Sequence, residues 1–348
     1  MKKIGFLGKT FYFFNIIFGL LLFISYFIPL IQPGTIPLIA IFSLFTPVLM
    51  IINALFVIFW MFKLNIRFFL SLIILALGIN NIDNFFRWPN SITVGSSDLK
   101  VMTFNVRMFD VYDWIKEPGT TQGIYNLVKH ESPDVIAFQE YHPMKSFDIG
   151  DYEYSFFHYP TTRKYWGQAI FSKYPIIAKG EVDILSNANS VIYVDLDIQG
   201  TYVRVYSVHL ETLKLKSKDL DLDKTINSNN TTEKLKSLVS RIDKGFGRHG
   251  TQADMLRKHI DESPYPVIVM GDFNSSAFSY EYKEIKGDLV DAFEKGGQGF
   301  GKTFVFPYFP LRIDFIMGDP NFRLVEFKTL NKRVLSDHFP ITASYKIR

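Results

Sequence analysis

VIVMGDFN, residues 267–274, runs through four apolar residues, stops at a glycine, and then offers a carboxylate, an aromatic ring and an amide. A short apolar run without polar alternation is the signature of a strand buried on both faces, as inside a layered α/β body. The Gly-Asp-Phe-Asn that follows is good turn chemistry. It also sets an acid and an amide where a rigid sheet can aim side chains into a cleft.

The same grammar recurs outward from this stretch. LKVMTFN (99–105), VIAFQ (135–139), QAIFS (168–172), VIYVDLDI (191–198), YVRVYSVH (202–209), RIDFIM (312–317) and ITASY (341–345) all read as strands. Gln122–Glu131 and Gln252–Asp261 read as helices, each ending before a Ser-Pro and a strand. Adjacent strands mixed with strand-helix-strand units predict an α/β layered domain. Lys214–Asn230, rich in Lys, Asp, Ser and Asn, reads as an exposed insertion, with a helix expected over Thr232–Ile242.

The first ninety residues belong to a different solvent. Phe11–Ile31 and Ile36–Phe62 are uncharged and exceed or match the roughly 20 residues a helix needs to cross a bilayer core. The third apolar stretch, 68–86, is shorter and runs into Asn80, Asn81 and Asp83. A cleaved secretory signal has one short apolar region, whereas long stretches follow one another here. The expectation is a bundle of three transmembrane helices over about 11–31, 36–62 and 68–86, with residues 1–95 as anchor and tether and 96–348 as the catalytic domain. Lys2, Lys3 and Lys9 at one end, and Lys63 with Arg67 after the second stretch, mark those segments as cytoplasmic. Three spans then put the catalytic domain on the extracytoplasmic, periplasmic side of a multi-pass inner-membrane protein; two spans would invert that.

The 348-residue chain carries 38 basic and 34 acidic residues. Six of the basic residues and one acid precede Pro89, which leaves 32 against 33 in the remainder. A near-neutral body argues against a large basic face for duplex nucleic acid. There is no cysteine, so disulfides, zinc-thiolate sites and thiol nucleophiles are excluded.

Polar residues sit where the strands end. Asn105, Glu140 and His209 each close a strand or follow one, Asp272 and Asn274 stand in the turn, Asp314 lies within RIDFI, and Asp337 with His338 precedes the last strand. Each also has a plain structural reading, Asn105 as a cap, Glu140 as a solvated strand end, and 271–274 as an ordinary turn. Asp314, between Ile313 and Phe315, is harder to dismiss, because a carboxylate in an apolar strand needs a partner. His130, His142, His158, His249 and His259 lack such context and are expected at the surface. Glu, Asp and Asn are hard-oxygen ligands of the kind Mg2+ prefers, and a histidine beside a carboxylate suits proton transfer near neutral pH.

TFNVR, IAFQE, GQAIFSKYP, SVHL, MGDFN, RIDFI and SDHFP stand in an order and spacing that resembles the endonuclease/exonuclease/phosphatase superfamily, over about residues 99–348. The resemblance implies a four-layer α/β sandwich, two facing mixed β-sheets with outer helices. It also implies a divalent-metal phosphoesterase using Mg2+, with Mn2+ as a substitute. Glu140 resembles the principal metal ligand, with Asn105 and Asp337 as direct or water-mediated ligands. His338 resembles a catalytic histidine polarised by Asp314. Asp272 and Asn274 resemble the pair that positions the attacking water and the phosphate, and His209 resembles a second histidine on the phosphate oxygens. Whether His338 or Asp272 takes the proton stays open. Arg107 occupies a spot where some relatives carry an acid. The substrate is a phosphodiester, nucleic acid or phospholipid. FVFPYFPL (304–311) is an aromatic stretch that could stack on bases, dip into a lipid bilayer, or form an ordinary buried loop. No protein partner is implied, and the alternative is a non-catalytic, membrane-tethered scaffold.

Overall fold

A computed structural model of the chain describes residues 5–347 apart from 36, 90–94, 145–146, 148, 161–164, 187–188, 212–246 and 308. The expected insertion 214–230 and helix 232–242 lie outside the described residues, as does much of the tether.

Three helices open the chain: α1 (Phe6–Ser25), α2 (Pro37–Phe62, with Pro47 inside it) and α3 (Phe68–Leu77). The segments Phe6–Leu30 and Phe42–Phe62 are long and apolar enough to cross a membrane. Helix α3 is not. Its ten residues rise about 15 Å, half of a hydrocarbon core of about 30 Å. The third expected span, 68–86, is therefore corrected to a short helix followed by a 3-10 turn at Ile79–Asn81; the amides of Asn80 and Asn81 interrupt the apolar run.

Burial in this bundle is inverted. Phe13, Leu20, Leu55, Phe62, Phe69 and Ile73 are exposed, while Asn15, Asn53 and Ser71 are fully buried. Asn15 donates to Ser71 Oγ at 2.6 Å, Ser71 Oγ donates to Asn53 Oδ1 at 2.8 Å, and Trp60 Nε1 donates to Asn15 Oδ1 at 2.9 Å. One polar network thus ties the three helices together from inside.

The remainder forms two six-stranded mixed sheets. In the first the order is β11-β12-β1-β2-β4-β3; in the second it is β5-β6-β7-β8-β10-β9. The pairs β1/β2 and β7/β8 are parallel. The central strands are β1 (Leu99–Asn105), β2 (Val135–Tyr141), β4 (Gly167–Ser172), β6 (Ser190–Ile198), β7 (Thr201–His209), β8 (Val267–Asp272), β10 (Asp314–Gly318) and β12 (Ile341–Lys346). The edge strands are β3 (Tyr154–His158), β5 (Ile176–Val182), β9 (Val290–Asp291) and β11 (Arg323–Thr329). Ile268 and Met270 of β8 face the inter-sheet core with Val101 and Ala137, while Val269 faces outward. That outer face is covered by α5 (residues 247–261) and α6 (Tyr280–Lys286) through Leu256, Ile260 and Ile285. On the other side α4 (Thr120–Glu131) covers the first sheet through Ile124 and Val128. These four layers are the expected sandwich.

The bundle packs directly against the sandwich. Gln32 Nε2 donates to Asp254 Oδ2 at 2.7 Å, Ser276 Oγ to the Ser43 carbonyl at 3.1 Å, and Arg312 Nη2 to the Asn84 carbonyl at 3.2 Å. Phe278 joins Leu22, Leu49 and Ile74 in one apolar cluster. The connection 26–34 and the segment 84–88 therefore meet the sandwich on the same side.

Candidate active site

Strand pairing gathers the candidates. His209 closes β7 in register with Asp272 at the end of β8, and Asp272 is in register with Asp314 at the start of β10. Asn105 ends β1 in register with Gln139, the residue before Glu140. These strand ends meet at one edge of the sandwich, with β1 and β2 facing β8.

Asp272 is the hub. Its Oδ2 accepts from Asn105 Nδ2 at 3.0 Å, its Oδ1 accepts from the Asn274 backbone N–H at 2.8 Å, and the side chain is 1 % exposed. His209 Nε2 lies 3.9 Å from Asp272 Oδ2 on one side and His338 Nε2 lies 3.7 Å from it on the other. His209 Nε2 is also 3.9 Å from Glu140 Oε1. Burial pushes the Asp272 carboxyl up from its ordinary range, against the downward pull of His338.

His338 is held from behind. Its Nδ1 lies 3.1 and 3.0 Å from the two oxygens of Asp314, which fixes the ring and turns Nε2 toward Asp272. Asp314 is anchored in turn by its backbone N–H donating to Thr303 Oγ1. Burial alone would lower the His338 pKa, but Asp314, Asp272 and Asp337 together lift it to about 10.

Asp337 stands apart from this chain of contacts, half-exposed, with Arg107 Nε at 3.3 Å. Ser336 Oγ donates to the Asn105 carbonyl and the Arg107 N–H donates to Asn105 Oδ1, so the segment 336–338 is pinned to the end of β1. Asn274 Nδ2 donates to the Leu210 carbonyl, tying the GDFN turn to the end of β7.

Backbone strain collects here. Glu140 (φ 52) and Asn274 (φ 50) are left-handed, and Arg107, Met108, Phe109 and Asp110 form an unbroken left-handed run. Such conformations persist where the surrounding structure over-determines them. The kink at Glu140 falls at a break in the β2/β4 register between Phe138 and Tyr141, which turns the carboxylate out of the sheet's alternation.

All eight expected residues thus come to one edge, seven through direct contacts and Asp337 through Arg107 and Ser336. Asp272, Asp314 and His338 offer ligand atoms within 4.8 Å of one another and could hold a metal ion. Both Asp314 oxygens are already turned to His338, however. Glu140, Asn105 and Asp337, the expected ligands, carry the hard oxygens that suit Mg2+; Glu140 lies beside His209, Asn105 is hydrogen-bonded to Asp272, and Asp337 is paired with Arg107.

Several residues beneath and beside the site carried no assignment from the sequence. Gln139 Nε2 donates to Thr103 Oγ1 and Ser207 Oγ, and Gln168 Oε1 accepts from Ser207 Oγ, a fully buried ladder joining the two sheets. An amide inside an apolar strand was the available signal. The Arg107 guanidinium lies over the Trp114 ring at 4.3 Å, and the Trp166 ring is 6.4 Å from that of His209. His249, expected at the surface, is fully buried in the first turn of α5 against the Glu211 carbonyl and Ser275, and burial lowers its pKa to about 4.

A family model described as Endonuclease/Exonuclease/phosphatase family matches residues 102–338, and a model of a domain of unknown function matches residues 8–85. Among solved structures, an endonuclease/exonuclease/phosphatase family protein from Bacteroides thetaiotaomicron aligns at 19 % identity with a TM-score of 0.54, covering 71 % of this chain and 97 % of that one. A mannosyl-6-phosphatase from the same organism aligns at 19 % identity and a TM-score of 0.52, over 71 % and 99 %. TDP2 of D. rerio, complexed with single-strand DNA product, aligns at 17 % identity and a TM-score of 0.52, over 71 % and 98 %. Curated proteins gave no match. At these identities the neighbours share the fold.

Proposed function

The chain belongs to the endonuclease/exonuclease/phosphatase family, and from that premise we propose a membrane-anchored, divalent-metal-dependent phosphoesterase that hydrolyses a phosphodiester by in-line attack of water. The observation that carries the reading is His338, oriented by both oxygens of Asp314 and facing a buried Asp272 that His209, Asn105 and the Asn274 backbone also address. A non-catalytic scaffold has no use for buried carboxylates and histidines packed this tightly, since burying them costs stability.

Water gives up a proton as it adds to phosphorus, one P–O ester bond breaks, and the departing alkoxide takes up a proton, leaving an alcohol and a phosphomonoester. In this site Asp272 and Asn274 align the water and the phosphate. His338, held by Asp314, faces Asp272, and one of these two takes the proton from the water. His209 faces the same oxygens from the other side. Glu140, Asn105 and Asp337 would hold Mg2+ or Mn2+, and a bound ion would neutralise charge growing on the phosphoryl group.

Membrane anchoring is supported by two long apolar helices whose outer faces are exposed phenylalanine, leucine and isoleucine around a polar interior. Lys63 and Arg67 lie between α2 and α3, while the α1–α2 connection and residues 84–88 both touch the sandwich. The chain thus comes back to the sandwich end despite the short α3. Basic residues at the far end favour an extracytoplasmic catalytic domain. Residues 1–95 are the anchor and 96–348 the catalytic unit.

The full chain in detergent should turn over bis-p-nitrophenyl phosphate with Mg2+ or Mn2+, and EDTA should abolish it. His338→Ala should lower the rate at least about 100-fold, the lower bound for losing an acid–base group. An unchanged rate would remove His338 from the mechanism.

A further inference from the structure

We propose that the substrate is lipid-borne, and that the loop whose described residues are 299–307 and 309–311 is a lip that enters the headgroup zone of the bilayer beside the bundle. This deepens the phosphoesterase reading and rests on it. One end of the loop lies on the bundle. Gly299 exchanges both backbone hydrogen bonds with Arg87, the Phe300 ring lies 5.0 Å from Phe85 and 4.9 Å from Phe86, and the Phe309 ring lies 6.3 Å from Phe45 of α2. The other end lies on the catalytic histidine. Phe304 bridges to His338 with its ring 5.0 Å from the imidazole, and the Val305 N–H donates to the Asp337 carbonyl at 2.7 Å. A single loop therefore runs from the apolar bundle to the acid–base pair.

The loop keeps apolar surface in the open: Phe300 is 46 % exposed and Val305 37 %. Beneath it is a cavity of about 530 Å³ lined by Phe300, Lys302, Phe306, Phe309, Thr329 and Asn331. Lys302 Nζ lies 5.9 Å from the centre of the Phe339 ring, the residue after His338. Aromatic walls with one cation, Lys302, suit an amphiphile that carries a phosphate. The exposed belt of the bundle calls for lipid as its neighbour, and the lip continues that belt. Among the residues that line this cavity Lys302 is the one basic side chain.

Two measurements test this on the full chain. The chain has no native cysteine, so Val305→Cys and Tyr202→Cys can each carry a single nitroxide label in vesicles of phosphatidylglycerol, phosphatidylethanolamine and cardiolipin. Tyr202 is the second residue of the strand that His209 ends, so it reports the far end of the sheet. The label at 305 should show oxygen-rich, membrane-like accessibility and the label at 202 aqueous accessibility. Equal aqueous values overturn the proposal whatever the activity. In the same vesicles, lipid hydrolysis is compared with bis-p-nitrophenyl phosphate and a single-stranded oligonucleotide. Phe309→Asp should lower the ratio of lipid to chromogenic rate at least five-fold, and Phe309→Trp should restore it. Chromogenic turnover with intact lipid, or faster cleavage of the oligonucleotide than of lipid, overturns the lipid assignment and leaves the phosphoesterase standing. No turnover of any substrate overturns both.

Discussion

Asp314 decides how His338 behaves, because burial and charge pull the imidazole in opposite directions. In the folded chain its pKa is lifted to about 10, above the roughly 6.5 of a free histidine. Its contribution to stability is therefore complete below about pH 6.5 and is lost as pH rises toward 10. Asp314→Asn removes the largest of the charges that raise it and leaves Asp272 and Asp337 to hold a smaller lift. In EDTA, thermal unfolding of the variant should lose stability at a lower pH than the wild type, and the metal-loaded rate should fall about 100-fold or more. Superimposable pH–stability curves would show that Asp314 does not set the imidazole charge. At this scale the sequence showed which polar residues end strands, and all eight came together. It did not show the left-handed backbone at Glu140, the reach of Arg107 to Asp337 and Trp114, or the burial of His249. Those depend on dihedral angles and on which element covers a residue, and residue order carries neither.

Strands are legible to the extent that they are buried on both faces. The eight central strands carry mostly apolar runs and were read at their places. The four strands that were not read are the four sheet edges, β3, β5, β9 and β11. Residues such as Lys179, Glu181, Arg323 and Lys328 break their apolar pattern. Charges on an edge discourage pairing with another chain, and they also erase the signal that reveals a strand. The same logic explains α3, whose apolar run is real but too short. A central element also depends on a residue with no side chain. Gly271 has φ 143, and a Cβ there would sit 2.0 Å from the Val208 carbonyl oxygen. Gly271→Ala should push β8 off β7 and separate His209 from Asp272. The expected cost is about 3 kcal/mol or more, in the range of severe backbone and packing defects, read as a lowered midpoint in chemical denaturation together with lost turnover. A near-wild-type midpoint would mean that the β7/β8 pair tolerates a side chain.

Across the whole molecule, the bundle packs against the sandwich on segments that adjoin the candidate site. Ser276 touches the bundle two residues after Asn274, and Arg312 touches Asn84 two residues before Asp314. The orientation of the catalytic domain thus follows from which end of the bundle is cytoplasmic. Lys63 and Arg67 flank the turn between α2 and α3, at the end away from Gln32 and Asn84, and basic residues favour the cytoplasmic face. Leu64, 82 % exposed in that turn, and Tyr202, 43 % exposed on the sandwich, are suitable reporters. In intact spheroplasts an impermeant maleimide should label Tyr202→Cys at once and Leu64→Cys only after the membrane is permeabilised. The reverse pattern would place the sandwich in the cytoplasm and the α2–α3 turn outside, and labelling of both only after permeabilisation would place both in the cytoplasm. The short third helix gives this experiment its weight. If its roughly 15 Å left the bundle with an even number of crossings, Tyr202 and Leu64 would lie on the same side and label together.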